Sequence, residues 1–173
     1  GSGLMAAHET VALDGDYMEE AYQYAEAHGM VCVMDIGRAG TASYQPEALR
    51  RAILRHPEMK FVVCHVLMPQ KGGEVRMEED LRMLALPNVW FDFAALPANV
   101  NRGETYPYAA AREVLKRAKK AVGADRLMFG SDLPSTMVSQ SYRHLVEYGM
   151  DLFTETEREK VYHDTADLVF FGS

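Results

Sequence analysis

Short apolar runs punctuate the chain about 30 residues apart, the length of one βα unit, at Leu4–Ala7, Met30–Met34, Phe61–Cys64, Val89–Phe93 and Leu127–Phe129. They are dense in Val, Met and Phe and lack clean polar alternation, the pattern of strands covered on both faces of a parallel sheet. The segments between them carry helix punctuation. Asp16 is placed to cap a helix whose Met18, Ala21, Tyr22 and Ala25 share one face and which stops at Gly29. Pro46 suits the first turn of a second helix, with Leu49, Ala52, Ile53 and His56 at i, i+3, i+4, i+7 spacing and Pro57 closing it. A third helix carries Leu81, Leu84 and Ala85 and ends before Pro87. A fourth starts near Pro107, buries Ala111, Val114, Leu115 and Ala118, and stops at Gly123. A further helix is expected around Val138–Tyr148, and Thr154-Glu155-Thr156-Glu157 has the spacing of a capping box opening the last helical segment.

This alternation predicts an α/β fold of about five parallel strands interleaved with helices. Five units do not close an eight-stranded barrel, so two architectures are compatible with the pattern. One is an open α/β sheet; the other is the latter part of a TIM-type (β/α) barrel whose early units are absent or supplied by another chain. No low-complexity linker interrupts residues 4–173, which read as one domain, while Gly1-Ser2-Gly3 has the composition of a cloning remnant.

Composition narrows the partners. The 173 residues are 48% apolar and 25% charged, within the ordinary globular range. A net charge of −7 and a pI near 5.4 argue against a nucleic-acid partner, because phosphate binding needs clustered Lys and Arg. The one basic run, Lys116-Arg117-Ala118-Lys119-Lys120, reads as a solvated helix end. Cys32 and Cys64 each lie inside an apolar run, as buried thiols of a reducing compartment do. No stretch approaches the ~20 apolar residues of a membrane span and no secretory pattern opens the chain, so the expectation is a cytoplasmic protein without a membrane partner.

Candidate chemistry gathers at the strand ends. His8 and Glu9 follow the first run, Asp35 the second, His65 the third and Asp132 the fifth, while Asp92 lies inside the fourth. In a parallel α/β fold this edge collects the βα loops and faces the ligand. Imidazoles and carboxylates converging there are the donor set of a divalent metal. Each residue also has a plainer reading. His65 suits a core hydrogen bond, Asp132 in Ser131-Asp132-Leu133-Pro134 suits a turn or helix cap, and Asp35 before Ile36-Gly37 suits loop chemistry. His28 and His56 fit helix-end dipole roles, His144 and His163 fit helix surfaces, and the 11 Met fit gap-filling core positions.

The segment Gly123-Ala124-Asp125-Arg126-Leu127-Met128-Phe129-Gly130-Ser131-Asp132-Leu133-Pro134 resembles the last-strand signature of the amidohydrolase-related metal-dependent hydrolases and decarboxylases. The helix from Pro46 leading into Lys60-Phe61-Val62-Val63-Cys64-His65 resembles the sixth unit of that barrel, and Pro87-Asn88-Val89-Trp90-Phe91-Asp92 the seventh. The stretch from Leu152 to Phe170 is similar to the family's terminal helices, so the likeness covers nearly the whole chain from Leu4. The resemblance implies that Asp132 binds a metal and handles the proton of an attacking water, and that His65 is a ligand or an acid/base group. Asp35 stands where the family's fifth strand ordinarily ends in a metal-binding His, and the HxH pair of the family's first strand occurs nowhere in this chain.

The expectation that follows is a metal-dependent hydrolase-like protein with zinc as the divalent ion. It would hydrolyse a small-molecule C–N or C–O bond or decarboxylate a small acid. Asp132 and His65 are its catalytic residues, Asp132, His65 and Asp35 its metal donors, and His8 and Arg38 its substrate contacts. Two other readings stay open: a non-catalytic half-barrel that pairs with itself or with a partner chain, and an open-sheet small-molecule binder with Arg38 and Tyr44 in its pocket.

Overall fold

The computed structural model describes residues 11–172. The first apolar run and the pair His8–Glu9 lie outside them, so the four later runs carry the observed sheet. β1 (Cys32–Met34), β2 (Phe61–Val63), β3 (Val89–Asp92) and β4 (Leu127–Met128) are all parallel and lie in the order β1-β2-β3-β4. Sequential neighbours joined by helices are the βαβ grammar expected from the spacing.

Register sorts the side chains onto two faces. Cys32, Phe61 and Val89 are aligned, as are Val33, Val62 and Trp90, and then Met34, Val63 and Phe91. Because side chains alternate along a strand, the Phe61, Val63, Val89, Phe91 and Leu127 face packs into the main core under the helices, with every one of them shielded from water. The opposite face carries the smaller cluster of Val62, Met128 and Val169, with Val31 and Trp90 against it. At 53% exposure, Val33 on β1 is the open end of that second face.

The helices follow the predicted faces except in the first, where Ala21 is exposed and Met18 and Ala25 are half-buried. α1 (Asp16–Ala27) buries Tyr22, and α2 (Pro46–Arg55) buries Leu49, Ala52 and Ile53. α3 (Glu74–Leu84) buries Met77, Leu81 and Leu84. Each buried Leu, Ile or Met among them contributes about 1.5–3 kcal/mol relative to exposure. A short helix that the pattern did not signal, α4 (Leu96–Val100), follows β3. α5 (Ala109–Val122) then buries Ala111, Val114, Leu115 and Ala118 and stops at Gly123, whose φ of 81° suits glycine.

Three expectations change in detail. Asp16 is the first helical residue rather than the cap; Gly15 holds the cap position, and the Asp16 carboxylate instead faces the positive end of the helix dipole. The helix expected over Val138–Tyr148 splits into a 3₁₀ turn at Ser135–Val138 and α6 (Tyr142–Glu147). The Ser141 hydroxyl accepts from the His144 N–H at 3.2 Å, and this cap starts a new helix where continuous periodicity suggested one. The terminal segment is α7 (Glu155–Glu159), a π turn at Lys160–Asp164 and α8 (Thr165–Phe170), opened by the expected capping box between Thr154 and Glu157. Lys60 Nζ donates to the Leu168 and Val169 carbonyls at 2.7 and 3.2 Å, which fixes α8 beneath the sheet.

His56 has a larger structural role than a helix-end charge. It caps α2 while 3% exposed, with Nδ1 2.9 Å from Glu26 Oε2 and Nε2 3.2 Å from Glu19 Oε1, so it ties α2 to α1. His28 stacks on Tyr24, and the exposed His163 pairs with Asp164, which raises its pKa. Within the basic run, Arg117 bridges Glu78 and Glu113, and Lys119 bonds Glu157. No helix among the described residues is long and apolar enough to cross a membrane.

Candidate active site

The parallel register brings the strand-end residues to one edge. One step beyond the aligned Met34, Val63 and Phe91 stand Asp35, Cys64 and Asp92, which by alternation leave the helix-covered face and turn to the opposite one. Asp92 is the pivot. Its Oδ1 accepts from the backbone N–H groups of His65 and Ala94, both at 2.9 Å, and so joins the loop after β2 to the loop after β3.

His65 begins a turn of unusual backbone. His65, Val66, Leu67 and Met68 have φ of 59°, 42°, 65° and 49°, a left-handed turn with no glycine in it. Such a conformation costs roughly 1–2 kcal/mol per non-glycine residue and is severe for β-branched Val66. Burial opposes that cost: Val66, Leu67 and Met68 are each at most 5% exposed. The turn directs the His65 ring so that Nδ1 lies 2.8 Å from the Ala94 carbonyl. A carbonyl only accepts, so the neutral ring carries its proton on Nδ1 and keeps the Nε2 lone pair free. Nε2 lies 3.9 Å from Asp35 Oδ2. That is beyond a hydrogen bond and wider than the roughly 3.3 Å spacing of two donors sharing a tetrahedral ion at about 2.0–2.2 Å. The other oxygen of Asp35 accepts from the Gly37 N–H at 2.9 Å, which holds the carboxylate in place.

Asp132 sits four residues beyond β4 with φ 53°, exposed, in the turn composition noted in the sequence. The Ser135 hydroxyl lies 2.8 Å from its Oδ2 and 2.6 Å from its carbonyl oxygen. The turn reading of the sequence is what these contacts show, with the carboxylate left exposed beyond β4. The Cys64 thiol senses the convergence. Its pKa is pushed well up, first by burial, then by Asp92, and further by Asp35 and Asp132. The thiol stays protonated at neutral pH and is no nucleophile.

The structure thus brings His65 and Asp35 within bridging reach of one another and sets Asp132 at the same edge; His8 lies outside the described residues. His65 and Asp35 fit a divalent ion by donor type and tautomer. Among the described residues no group of three or more His, Cys, Asp and Glu is spaced to hold a metal. Arg38 occupies the loop after β1, where its carbonyl accepts from Thr41. Tyr44 lines a separate cavity of about 160 Å³, and its hydroxyl donates to Asp80 Oδ2 at 2.7 Å; burial, and then this bond, raise its pKa.

A cavity of about 740 Å³ opens between the loops after β3 and β4. Tyr106, Tyr108, Ser135, Gln140 and His144 are among its walls. The His144 ring stacks on Tyr106 with centroids 4.4 Å apart, where the sequence suggested only a helix surface. The aromatic pair in Tyr106-Pro107-Tyr108 was the available signal.

The family model described as amidohydrolase matches residues 4–171. Among solved structures, the chain is similar to an amidohydrolase from Burkholderia multivorans with bound zinc, at 23% identity and a TM-score of 0.74 over 90% of this chain and 57% of that one. It is similar to a Pseudomonas putida protein named as a candidate 2-pyrone-4,6-dicarboxylic acid hydrolase, at 22% identity and a TM-score of 0.75 over 95% and 60%. A third is the 5-carboxyvanillate decarboxylase of Sphingomonas paucimobilis, at 13% identity and a TM-score of 0.57 over 92% and 55%. The chain therefore spans 55–60% of the length of these structures. No curated protein matches its sequence.

Proposed function

The chain belongs to the amidohydrolase family, and from that premise we propose that it forms the C-terminal part of a metal-dependent barrel that hydrolyses a small-molecule C–N or C–O bond or decarboxylates a small acid. The observation that carries this reading is the pairing of His65 Nε2 with Asp35 Oδ2 across 3.9 Å, with the tautomer of His65 set by the Ala94 carbonyl. Zinc is the ion we expect, in keeping with the zinc-bound relative. Held there, a divalent ion supplies Lewis acidity that polarises a carbonyl or carboxyl oxygen at neutral pH.

The chain's own residues have separable tasks. Asp35 and His65 hold and orient. Asp132, exposed and steadied by Ser135, takes a proton from water attacking an acyl carbon, or in a decarboxylation returns one to the ring carbon that loses CO₂. Arg38 and His8 are proposed substrate contacts. Metal analysis of the purified protein tests the reading: divalent metal at stoichiometric level, lost in Asp132→Ala, supports it. Absence of bound metal, unchanged by that substitution, refutes it.

A second reading, a non-catalytic half-barrel that assembles with itself or with a partner chain, is favoured by one feature. Val33 of β1 and Met30 just before it are 53% and 51% exposed at the end of the sheet. Light scattering separates the two: a stable dimer without metal supports the half-barrel, and a monomer counts against it.

A further inference from the structure

Ala94 stands at the centre of the bonds that aim His65: its N–H donates to Asp92 Oδ1 at 2.9 Å, and its carbonyl lies 2.8 Å from His65 Nδ1. Behind it lies Gly130. β3 and β4 are aligned at Asp92 and Met128, and two residues further along each chain Ala94 meets Gly130, where both strands have given way to their loops. A Cβ placed on Gly130 would lie 2.8 Å from the Ala94 Cβ. Non-bonded carbons rest about 3.5–4.0 Å apart, so a methyl there is excluded unless something moves. Gly130 does not have a positive φ, so it is the close approach, and not backbone conformation, that calls for glycine.

Neither side of the contact yields cheaply. The Ala94 Cβ is fixed to the backbone rather than to the end of a flexible side chain, and Ala94 is 6% exposed and followed by buried Ala95 with φ 51°. On the other side, the Phe129 N–H donates to the Val161 carbonyl at 2.8 Å, and the Ser131 carbonyl accepts from the Thr136 hydroxyl at 2.9 Å. If the loop after β3 gave way, the Ala94 carbonyl would turn from His65 Nδ1. If the loop after β4 gave way, Asp132, two residues from Gly130, would be carried with it.

We propose that Gly130 is a positioning residue: its missing side chain lets the loops after β3 and β4 close on each other and so sets His65 and Asp132 relative to one another. That this spacing serves chemistry rests on the reading of His65 and Asp132 given above; the contact and its effect on the two side chains do not.

The test compares wild type, Gly130→Ala, Ala94→Gly, the double variant and Gly149→Ala, all with EDTA present, by the His65 ring ¹⁵N and Asp132 carboxyl ¹³C shifts. Gly149→Ala controls for packing strain, since its new Cβ would lie 2.6 Å from Leu115 Cδ2 on α5. Gly130→Ala should move at least one signal, either a His65 proton no longer held on Nδ1 or an Asp132 carboxyl away from its wild-type shift. The double variant should return both to the values of Ala94→Gly, because with the Ala94 methyl gone the nearest atom to the new Cβ is Ala94 Cα at 3.6 Å, an ordinary contact. A disturbance due only to a methyl two residues from Asp132 would persist there. Gly149→Ala should leave both signals in place. If Gly130→Ala does not fold, the double variant decides, and it should fold with the Ala94→Gly signals. The proposal is overturned if Gly130→Ala shifts neither signal beyond Gly149→Ala, or if the double variant fails to fold or to return them. These readouts need no metal, so their failure leaves the metal reading standing, and failure of the metal analysis leaves the role of Gly130 standing.

Discussion

Removing the Asp92 carboxylate should release the turn that aims His65, and the loss can be worked from its bonds. Oδ1 accepts two backbone N–H groups at 2.9 Å, and the side chain is 13% exposed. Asp92→Ala leaves both donors without a partner, at about 1–3 kcal/mol each. The total of about 2–6 kcal/mol is a large fraction of the ~5–15 kcal/mol by which domains are stable. Asp92→Asn retains an acceptor oxygen in the same place and forfeits only the charge-assisted share, about 1 kcal/mol. Urea denaturation of the three proteins measures the difference, and the His65 ring ¹⁵N shifts report whether Nδ1 stays protonated against the Ala94 carbonyl. A large deficit in the alanine variant, a small one in the asparagine variant and a lost tautomer preference only in the former are expected. Equal destabilisation of the two would mean that charge, not acceptance, matters. A loss under about 1 kcal/mol for alanine would mean the two N–H groups find water, and the argument for Asp92 as pivot would fail.

Two further outcomes follow from the geometry. At Val66, with φ 42° and no exposure, glycine should be no less stable than alanine. The usual deficit of glycine, about 0.5–1 kcal/mol, and its lost methyl burial are offset by the roughly 1–2 kcal/mol released on leaving the left-handed strain; chemical denaturation of both variants reads this directly, and a clear glycine deficit would refute the strain. Asp151 is held below its ordinary value near 3.8, chiefly by its hydrogen bonds with Arg112. Its folded pKa is depressed, so its contribution is complete above the unfolded value and is lost as pH falls through the folded one. Thermal melts between about pH 5 and pH 2 should show Asp151→Asn with a flatter acid slope than wild type, and parallel slopes would contradict the assignment.

Much of the fold was legible because strands and amphipathic helices carry periods that a sequence displays. Phe61-Val62-Val63 reads as a buried strand, and Leu49, Ala52 and Ile53 read as a helix face, because burial selects those residue types. Loop conformation carries no such period. Nothing in Cys64-His65-Val66-Leu67-Met68 announces a left-handed turn, since glycine or asparagine is its usual sign and here tertiary burial imposes it. The short helix at Leu96–Val100 is below the length at which a pattern can be counted. At the site, the strand-end rule placed Asp35 and His65 correctly at one edge, but it missed that Asp92 serves the backbone. It also missed the cavity, because Tyr106, Gln140 and His144 meet only when two loops fold over each other. His56 went unrecognised as a buried link because its glutamate partners lie on a different helix.

The account rests on Asp35, His65 and Asp132 serving one ion, and Mn²⁺ titration followed by amide-resolved NMR line broadening tests that most directly. Broadening should centre on these three residues and Cys64, grow together along a single saturation curve, and be reversed by excess Zn²⁺. Broadening confined to acidic helix surfaces, or three residues that respond at unrelated concentrations, would contradict the shared site.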